Sequence, residues 1–292
     1  MNKTKGKLHL RNVHNNGYNF QELIIKVPEL KSFILKNKEG KETIQFANPK
    51  AVYLLNKALL LHYYQVDFWD IPQQNLVPSI PGRANYIHYL AELIEDLDKQ
   101  QVKILDIGTG ASLVYPIIGN ALYGWKFIAS DIDLQSIRNA QHIIDKNPHL
   151  SSQISLRFQA NKKDILFNII QPGEHFDAVI CNPPFFKSKS QANAQTLRKL
   201  KGLNRSKTPK LINNFAGKSN ELWYPGGELS FVLQYIKESR NYKSQVRWFT
   251  SLISNENHLK PLQIELKKSV SNCRIIEMPH GNKKSRILAW TF

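Results

Sequence analysis

The stretch Ile-Cys-Asn-Pro-Pro-Phe-Phe, residues 180–186, follows a short apolar run. That run predicts a buried strand, and Pro183 and Pro184 must end it because proline cannot donate to a strand ladder. Asn182 therefore begins a stiff loop at the carboxyl end of a strand, where open α/β sheets bind ligands. The Asn182 carboxamide oxygen and the Pro183 carbonyl could accept both hydrogens of an exocyclic amine, and Phe185 could stack on the attached ring.

A loop of this kind suits methyl transfer to a ring amine. Two acceptors draw the nitrogen toward tetrahedral geometry and free its lone pair. Positioning then supplies most of the rate, since a methyl sulfonium is already activated. No general base is required, which agrees with the lack of an obvious catalytic His or Cys. The alternative is an ordinary strand-ending turn, because Asn-Pro is a common turn starter.

A second group of residues fits a nucleoside-bearing cofactor. A strand is expected to end at Asp106, and Gly108 and Gly110 follow in a turn that a ligand could approach closely. Asp131 ends the next predicted strand, where a carboxylate can accept both hydroxyls of a ribose. Leu113 stands where a nicotinamide dinucleotide motif has its third glycine, so we expect S-adenosylmethionine instead. Taken alone, the glycines are equally consistent with a plain tight turn.

Strands and helices alternate around these motifs. Alternation predicts a Rossmann-like α/β fold of the class I methyltransferase type, with a mostly parallel seven-stranded sheet. Asn48 and Pro49 are placed as the N-cap and first residue of a helix over 46–64, and Asp133 is expected to cap the helix after the second strand. Strands are predicted at 103–108, 126–131, 154–158, 176–182, 245–253, 273–279 and 286–292.

The chain is expected to divide near residue 80. Residues 1–80 lack a strong strand pattern and are predicted to form a basic, mainly helical RNA-binding extension. Residues 71–83 are rich in proline and are interpreted as a linker or wrapping loop. A Rossmann-like methyltransferase domain is predicted over 81–292, and 42% hydrophobic residues suffice for an ordinary core.

The net charge of +17 favours a polyanionic partner, most often nucleic acid. Residues 1–21 and 178–220 carry no acidic residue, which concentrates basic charge near both motifs, although such charge could merely aid solubility. The long polar segment 187–220 is predicted to be a mobile substrate loop, with purposeless disorder as the alternative. The residues expected to contact RNA are Lys5, Lys7, His9, Arg11, Asn12, His14, Lys187, Arg198, Lys199, Lys201 and Arg205.

Other sequence features narrow the class of protein. Two cysteines, Cys181 and Cys273, cannot form a disulfide framework or a zinc site, and the histidines lack metal-ligand spacing. The chain starts with a polar, basic segment instead of a secretory signal, and no apolar run is long enough to cross a bilayer. We therefore expect a cytoplasmic monomer without a metal or membrane partner.

The two motifs together resemble class I adenine-N6 methyltransferases. Further stretches are similar to the bacterial 23S rRNA adenine-N6 methyltransferase family known as RlmF, and the resemblance spans nearly the whole chain. These stretches are residues 8–20, 46–60, 69–72, 81–90, 221–228 and 248–254. The resemblance implies S-adenosylmethionine as donor and one adenine of large-subunit rRNA, free or in a ribosome assembly intermediate, as target.

The resemblance also implies roles for individual residues. Arg83 would bind the donor's methionine carboxylate, Asp131 its ribose, and Gln159 or Asp164 its adenine. The donor site would contain Arg83, Asp106, Gly108, Gly110, Ser112, Asp131 and Asn182. The catalytic base pocket would contain Asn182, Pro183, Pro184 and Phe185.

Other interpretations stay open. Asn-Pro-Pro loops also methylate protein glutamine amides or adenine in DNA, although Tyr or Trp is then more common in the fourth position. N6-adenine methylation of another structured RNA is a further alternative. A non-catalytic RNA-binding scaffold with a vestigial donor site is the last, and intact Asp106, Asp131 and Asn182 argue against it.

Overall fold

The computed structural model describes residues 7–95, 102–188, 223–280 and 283–292. Its N-terminal part contains α1 (Phe20–Lys26), β1 (Ile34–Lys36), β2 (Glu42–Ile44), α2 (Pro49–Tyr63) and α3 (Ile80–Leu93). The remainder contains β3 (Lys103–Ile107), α4 (Val114–Tyr123), β4 (Lys126–Asp131), α5 (Leu134–Asp145), β5 (Ile154–Phe158), β6 (Phe176–Cys181), α6 (Gly227–Ser239), β7 (Val246–Ile253), α7 (Leu259–Leu266), β8 (Asn272–His280) and β9 (Lys283–Thr291).

Seven strands form one mixed sheet in the order β5-β4-β3-β6-β7-β9-β8. The first five are parallel, and β9 pairs antiparallel with both β7 and β8. All seven predicted strands are confirmed, and the central strands β3, β4, β6 and β7 are the buried apolar runs typical of strands covered on both faces. The chain order reverses between β3 and β6, so a crevice opens at their carboxyl ends.

Helix α2 begins where its capping residues predicted. The Asn48 side-chain oxygen accepts from the backbone N–H of Lys50 at 3.0 Å and of Ala51 at 3.3 Å, with Pro49 as the first helical residue. Helix α3 begins at Ile80, inside the stretch 71–83 that was interpreted as a linker or wrapping loop. Proline fixes φ near its helical value, so Pro81 favours the first turn of this helix, where a linker was expected.

One apolar cluster crosses the predicted boundary near residue 80. Leu23 and Leu59 from the N-terminal helices belong to the same buried cluster as Ile104 and Ala178 from the central strands. Trp69 is fully buried in this cluster, and its indole nitrogen donates to the Ser112 carbonyl at 2.8 Å. The extension therefore packs directly against the elements that carry the crevice, and its division as a separate unit stays a prediction.

Buried polar contacts hold the N-terminal segment against α3. The backbone N–H of His9 donates to Asn85 Oδ1 at 2.6 Å, and His9 Nε2 lies 2.8 Å from Glu92 Oε1. The Asn12 side chain donates to the Pro81 carbonyl at 3.0 Å. His9 and Asn12 are only 6% and 2% exposed. Both side chains therefore serve the fold, and their contact with RNA stays a prediction.

His14 is buried as well, and its contact with RNA likewise stays a prediction. Its Nε2 lies 2.8 Å from the Tyr64 hydroxyl, and burial, helped by His88, lowers the pKa of His14 to about 4. His88 Nδ1 lies 2.7 Å from the Tyr123 hydroxyl. Burial and the neighbouring His9 lower the pKa of His88 to about 4. Folding therefore holds both His14 and His88 neutral.

These two histidines predict a loss of stability in acid. A histidine kept neutral by folding stabilises the fold fully above its ordinary pKa of 6.5, and this contribution disappears as the pH falls toward about 4. Each contributes a change of about 1.4 kcal/mol per pH unit inside that window. We expect the free energy of unfolding, measured with urea, to fall between about pH 7 and about pH 5.

The substitution His88→Gln should reduce this pH dependence, because it removes one of the two titrations. His149→Gln is the matched control, since His149 is exposed and should leave the dependence unchanged. The other titrating groups are common to these proteins and cancel in the comparison. Equal slopes for the wild type and His88→Gln would contradict the prediction.

Candidate functional site

A cavity of about 500 Å³ lies at the carboxyl ends of β3, β4 and β6. It collects residues that are far apart in the sequence, because the pairing of Ile107 with Cys181 places the two loops that follow these residues side by side. The predicted site residues that line it are Arg83, Gly108, Gly110, Ser112, Asp131, Asn182, Pro184 and Phe185. Asp106 and Pro183 are buried next to these residues and do not line the cavity.

The two glycines after β3 are required by the backbone. Gly108 and Gly110 have φ of 74° and 64°, in the left-handed region that favours glycine. The N–H groups of Gly108 and Thr109 both donate to the Ser130 carbonyl, at 2.9 and 3.0 Å. The turn is thereby fastened to the end of β4, and its backbone faces the cavity.

Asp131 is held in place by the same turn. Its Oδ2 accepts from the Gly110 N–H at 2.8 Å, and its Oδ1 accepts from the Asp133 N–H at 2.8 Å. The carboxylate is thus oriented at the cavity wall, as a group that binds two vicinal hydroxyls must be. Asp133 instead accepts from the Gln135 N–H at the start of α5, so its predicted capping role is confirmed.

Asp106 is a buried carboxyl group beneath the glycine turn. It is 1% exposed, and its oxygens have no hydrogen-bond partner of good geometry among the described residues, although the Thr109 hydroxyl is close enough to act on the carboxyl. Burial raises the pKa of Asp106 to about 7; nearby Asp131 also raises it, whereas the Thr109 hydroxyl and Arg83 lower it. A buried acceptor without a partner is costly. Positive charge in the adjacent cavity would favour its charged form.

Arg83 lies between the two loops. Its Nη1 donates to the Tyr115 hydroxyl at 2.8 Å, and its guanidinium carbon lies 5.3 Å from the centre of the Tyr115 ring. With the Asn182 amide oriented so that its oxygen faces the guanidinium, that oxygen accepts from Nη1 at 3.1 Å and Nη2 at 3.2 Å. Burial raises the pKa of Tyr115 to about 12, so it stays a neutral partner for the cation.

Tyr115 was missed by sequence reasoning. It is one apolar-facing residue of helix α4, and its pattern in the sequence does not differ from that of a core aromatic. Only the packing of α3 beside α4 shows that its hydroxyl supports Arg83.

Aromatic residues form the opposite wall. Trp223, Tyr224 and Phe231 line the cavity together with Phe185, and the Tyr224 and Phe231 rings meet edge to face at 5.2 Å. The Tyr224 N–H donates to the Phe186 carbonyl at 3.0 Å, which ties this wall to the Asn-Pro-Pro-Phe loop. Flat apolar walls around an amide oxygen suit an aromatic ring that carries an amine.

The loop after β5 supplies the remaining wall. Gln159 lines the cavity, but its amide donates to the Phe167 carbonyl at 2.8 Å and its oxygen accepts from the Asn161 N–H at 3.0 Å. Asp164 also lines the cavity, and its Oδ2 accepts from the Asn161 side chain at 2.8 Å. Of the two candidates for the donor adenine, Gln159 thus has both ends of its amide engaged by the loop itself, whereas Asp164 has one oxygen engaged there.

Three of the predicted RNA contacts are exposed in the described residues: Lys7, Arg11 and Lys187. Arg11 lies 3.5 Å from Glu92 and 3.5 Å from the Tyr123 hydroxyl. Lys5, Arg198, Lys199, Lys201 and Arg205 lie outside the described residues, as do residues 189–222 of the predicted substrate loop.

Metal sites and membrane spans can be judged in the ranges that the structure describes. In those ranges no group of three or more His, Cys, Asp or Glu side chains could hold a metal ion. No helix there is long and apolar enough to span a bilayer.

Comparison with known proteins agrees with this geometry. The profile of a family described as RNA methyltransferase matches residues 2–292. A protein of Bacteroides thetaiotaomicron named ribosomal RNA large subunit methyltransferase F is 49% identical over 302 residues, which are 99% of this chain and 98% of that protein. A protein of the same name from Flavobacterium johnsoniae is 48% identical and covers 100% of this chain and 95% of its own length.

Solved structures of human METTL16 share the fold. Its catalytic domain in complex with MAT2A 3′UTR hairpin 6 superposes with a TM-score of 0.82 at 30% identity, covering 98% of both chains. Its N-terminal domain in complex with SAH superposes with a TM-score of 0.78 at 28% identity, covering 98% of this chain and 99% of that one.

The buried Asp106 predicts a stability that falls as the pH rises. Its folded pKa of about 7 exceeds its ordinary value of 3.8, so it stabilises the fold below pH 3.8 and loses this contribution as the pH rises through about 7. Asp106→Asn removes the titration and mimics the neutral acid. We expect the stability of the variant relative to the wild type to rise by about 3 kcal/mol from about pH 5 to about pH 8.

Urea unfolding at both pH values measures this gain. Asp145→Asn is the matched control, because Asp145 is exposed and its difference from the wild type should not change with pH. A stability difference between Asp106→Asn and the wild type that stays constant from about pH 5 to about pH 8 would contradict the raised pKa.

Proposed function

Because the chain belongs to the RNA methyltransferase family, we propose that it transfers a methyl group from S-adenosylmethionine to N6 of one adenine in large-subunit rRNA. The observation that carries this proposal is the single cavity shared by the glycine turn, Asp131 and the Asn182 carboxamide. A donor nucleoside and a target amine can meet there. An rRNA substrate also implies a cytoplasmic protein.

The donor end of the cavity fits S-adenosylmethionine. Asp131 is oriented by two backbone N–H groups and would bind the ribose hydroxyls. Gly108 and Ser112 line the end where the methionine part would lie. The positive charge of the donor would favour the ionised form of the Asp106 carboxyl group beneath them. When bound, the donor supplies an activated methyl group on its sulfonium. Asp164 would accept a hydrogen bond from the donor's adenine amine.

The target end fits an adenine. Asn182 and the Pro183 carbonyl would accept the two hydrogens of the N6 amine, and Phe185 and Tyr224 would pack against the ring. These contacts fix the nitrogen in line with the methyl group and expose its lone pair, which is a contribution of orientation. A stacked adenine would first have to leave its helix, as in other enzymes that modify a base.

Arg83 connects the two ends. It would bind the methionine carboxylate, and a charged partner there competes with its hydrogen bonds to the Asn182 oxygen. Release of that oxygen makes it available to the target amine. The Tyr115 hydroxyl keeps the guanidinium between the two loops meanwhile.

Charge supports RNA as the partner. The net charge of +17 provides the sequence-independent attraction to phosphate, and Lys187 lies directly after the Asn-Pro-Pro-Phe-Phe loop. The two relatives at 48% and 49% identity are named for large-subunit rRNA. A second candidate is another structured RNA, favoured by the hairpin complex of the human METTL16 domain. The substrate could be free rRNA or an assembly intermediate.

The proposal predicts N6-methyladenosine in rRNA. We expect radiolabelled S-adenosylmethionine and unmodified large-subunit rRNA to yield label in that nucleoside alone after digestion and chromatography. Asn182→Ala should reduce the transfer rate at least about 100-fold, because it removes an acceptor that acts on the reacting nitrogen. Binding of S-adenosylhomocysteine should change less than about threefold, because other residues hold the donor.

Asn272→Ala is the matched control, since Asn272 is exposed on β8 and should leave the rate unchanged. Substantial transfer by Asn182→Ala would overturn the pocket assignment. Donor binding without label in free rRNA would call for assembly intermediates next. Label in protein or DNA would replace the proposed substrate.

A further inference from the structure

Glu238, near the end of α6, carries a buried carboxylate that faces the loop after β5. The residue is 2% exposed. Its Oε2 accepts from the backbone N–H of Ile165 at 2.9 Å, of Leu166 at 2.7 Å and, at a longer 3.4 Å, of Phe167. Its Oε1 accepts from the Gln234 side chain at 2.9 Å. One carboxylate thus satisfies the backbone donors of a whole turn.

This turn forms part of the donor end of the cavity. Lys162, Lys163, Asp164 and Ile165 all line it. The Gln159 amide closes the same loop from the other side through its bond to the Phe167 carbonyl. Glu238 itself does not line the cavity, so it holds the wall from behind.

The converging N–H groups explain why an acidic residue occupies this position. Backbone donors that are buried without acceptors cost free energy, and three in succession cannot be satisfied by sheet or helix bonds. A carboxylate can accept several N–H groups at once, and charge-assisted hydrogen bonds are stronger than neutral ones. The turn at Ile165–Phe167 therefore takes its position from Glu238.

We propose that Glu238 is a positioning residue for the methyl donor. Its carboxylate fixes the turn at Ile165–Phe167, so that the adjacent Asp164 side chain faces the cavity and meets the donor's adenine amine. This inference rests on the proposed function. It assigns to α6, whose N-terminal end follows the aromatic wall of the target end, a second task at the donor end.

Glu228 provides the control that separates positioning from general stability. It lies on the same helix, is 1% exposed, and accepts from the Ser254 N–H at 2.8 Å and the Asn255 N–H at 3.3 Å. It also lies 2.7 Å from His258 Nδ1. Its loop, unlike that of Glu238, contributes no residue to the lining of the cavity. Loss of either charge should destabilise the fold, but only one should affect the donor.

The test measures donor affinity by calorimetry on the full chain without RNA. The probes are S-adenosylhomocysteine and 5′-methylthioadenosine, which keeps the adenosine but lacks the amino-acid moiety. Glu238→Gln should weaken both probes by the same factor, about tenfold, because the adenine contact is common to both. Glu228→Gln should stay within about twofold of the wild type. Arg83→Ala should weaken the first probe alone.

Thermal unfolding is measured on both glutamine variants, so that donor affinities are compared only between folded proteins of similar stability. Where Glu238→Gln does not fold, Glu238→Asp keeps the charge with a shorter reach and is expected to weaken both probes as well. Wild-type affinity in a folded Glu238 variant overturns the inference. So does an equal loss of affinity in Glu228→Gln. Absence of binding by the wild type overturns the proposed function itself, which keeps the two failures distinct.

Discussion

The register between β3 and β6 is the constraint on which the site depends. Ile104 lies beside Ala178 and Ile107 beside Cys181 in a parallel ladder, so both strands end at the same level. The glycine turn and the Asn-Pro-Pro-Phe loop then emerge next to each other at the point where the chain order of the sheet reverses. A slip of one residue would invert every side chain of the strand and bury the wrong face.

Hydrogen bonds from helix α3 through strand β7 to strand β6 stabilise that register. The Tyr86 hydroxyl, fully buried on α3, donates to Thr250 Oγ1 at 2.9 Å, and this hydroxyl donates to the Val179 carbonyl at 2.7 Å. The same helix carries Arg83, one turn earlier, beside Asn182. Helix α3 therefore positions both strand β6 and Asn182, the residue that follows it. The reaction geometry is set by a rigid element, as efficient positioning requires.

The sequence was sufficient for the parts whose signals are local. Short apolar runs bounded by turn signals indicated all seven strands, and side-chain oxygens before helices indicated the caps at Asn48 and Asp133. Residues directly after strands could be placed at one cavity, because parallel strands share an edge. The two strands β1 and β2 were not predicted, since three residues each are too few to show an alternating apolar pattern.

The contacts that sequence could not give are those between distant elements. His9, Asn12 and His14 stand in a basic segment that predicts exposure, yet partners such as Asn85 and Tyr64 draw them inside. Glu238 belongs to a helix in which an acidic residue would ordinarily face solvent. Its role depends on N–H groups more than 70 residues away, which no local pattern encodes.

The two buried carboxyl groups of Glu238 and Asp106 differ in their hydrogen-bond partners. Glu238 has its acceptors filled by backbone N–H groups and helps to hold a wall. Asp106 has no hydrogen-bond partner of good geometry among the described residues, and burial raises its pKa to about 7, so the ligand-free fold keeps it at a cost in stability. A stable core would replace such a group with an apolar residue. A positively charged methyl donor in the adjacent cavity would favour the ionised form of Asp106 through space, and this is a physical reason for a carboxyl group below the glycine turn.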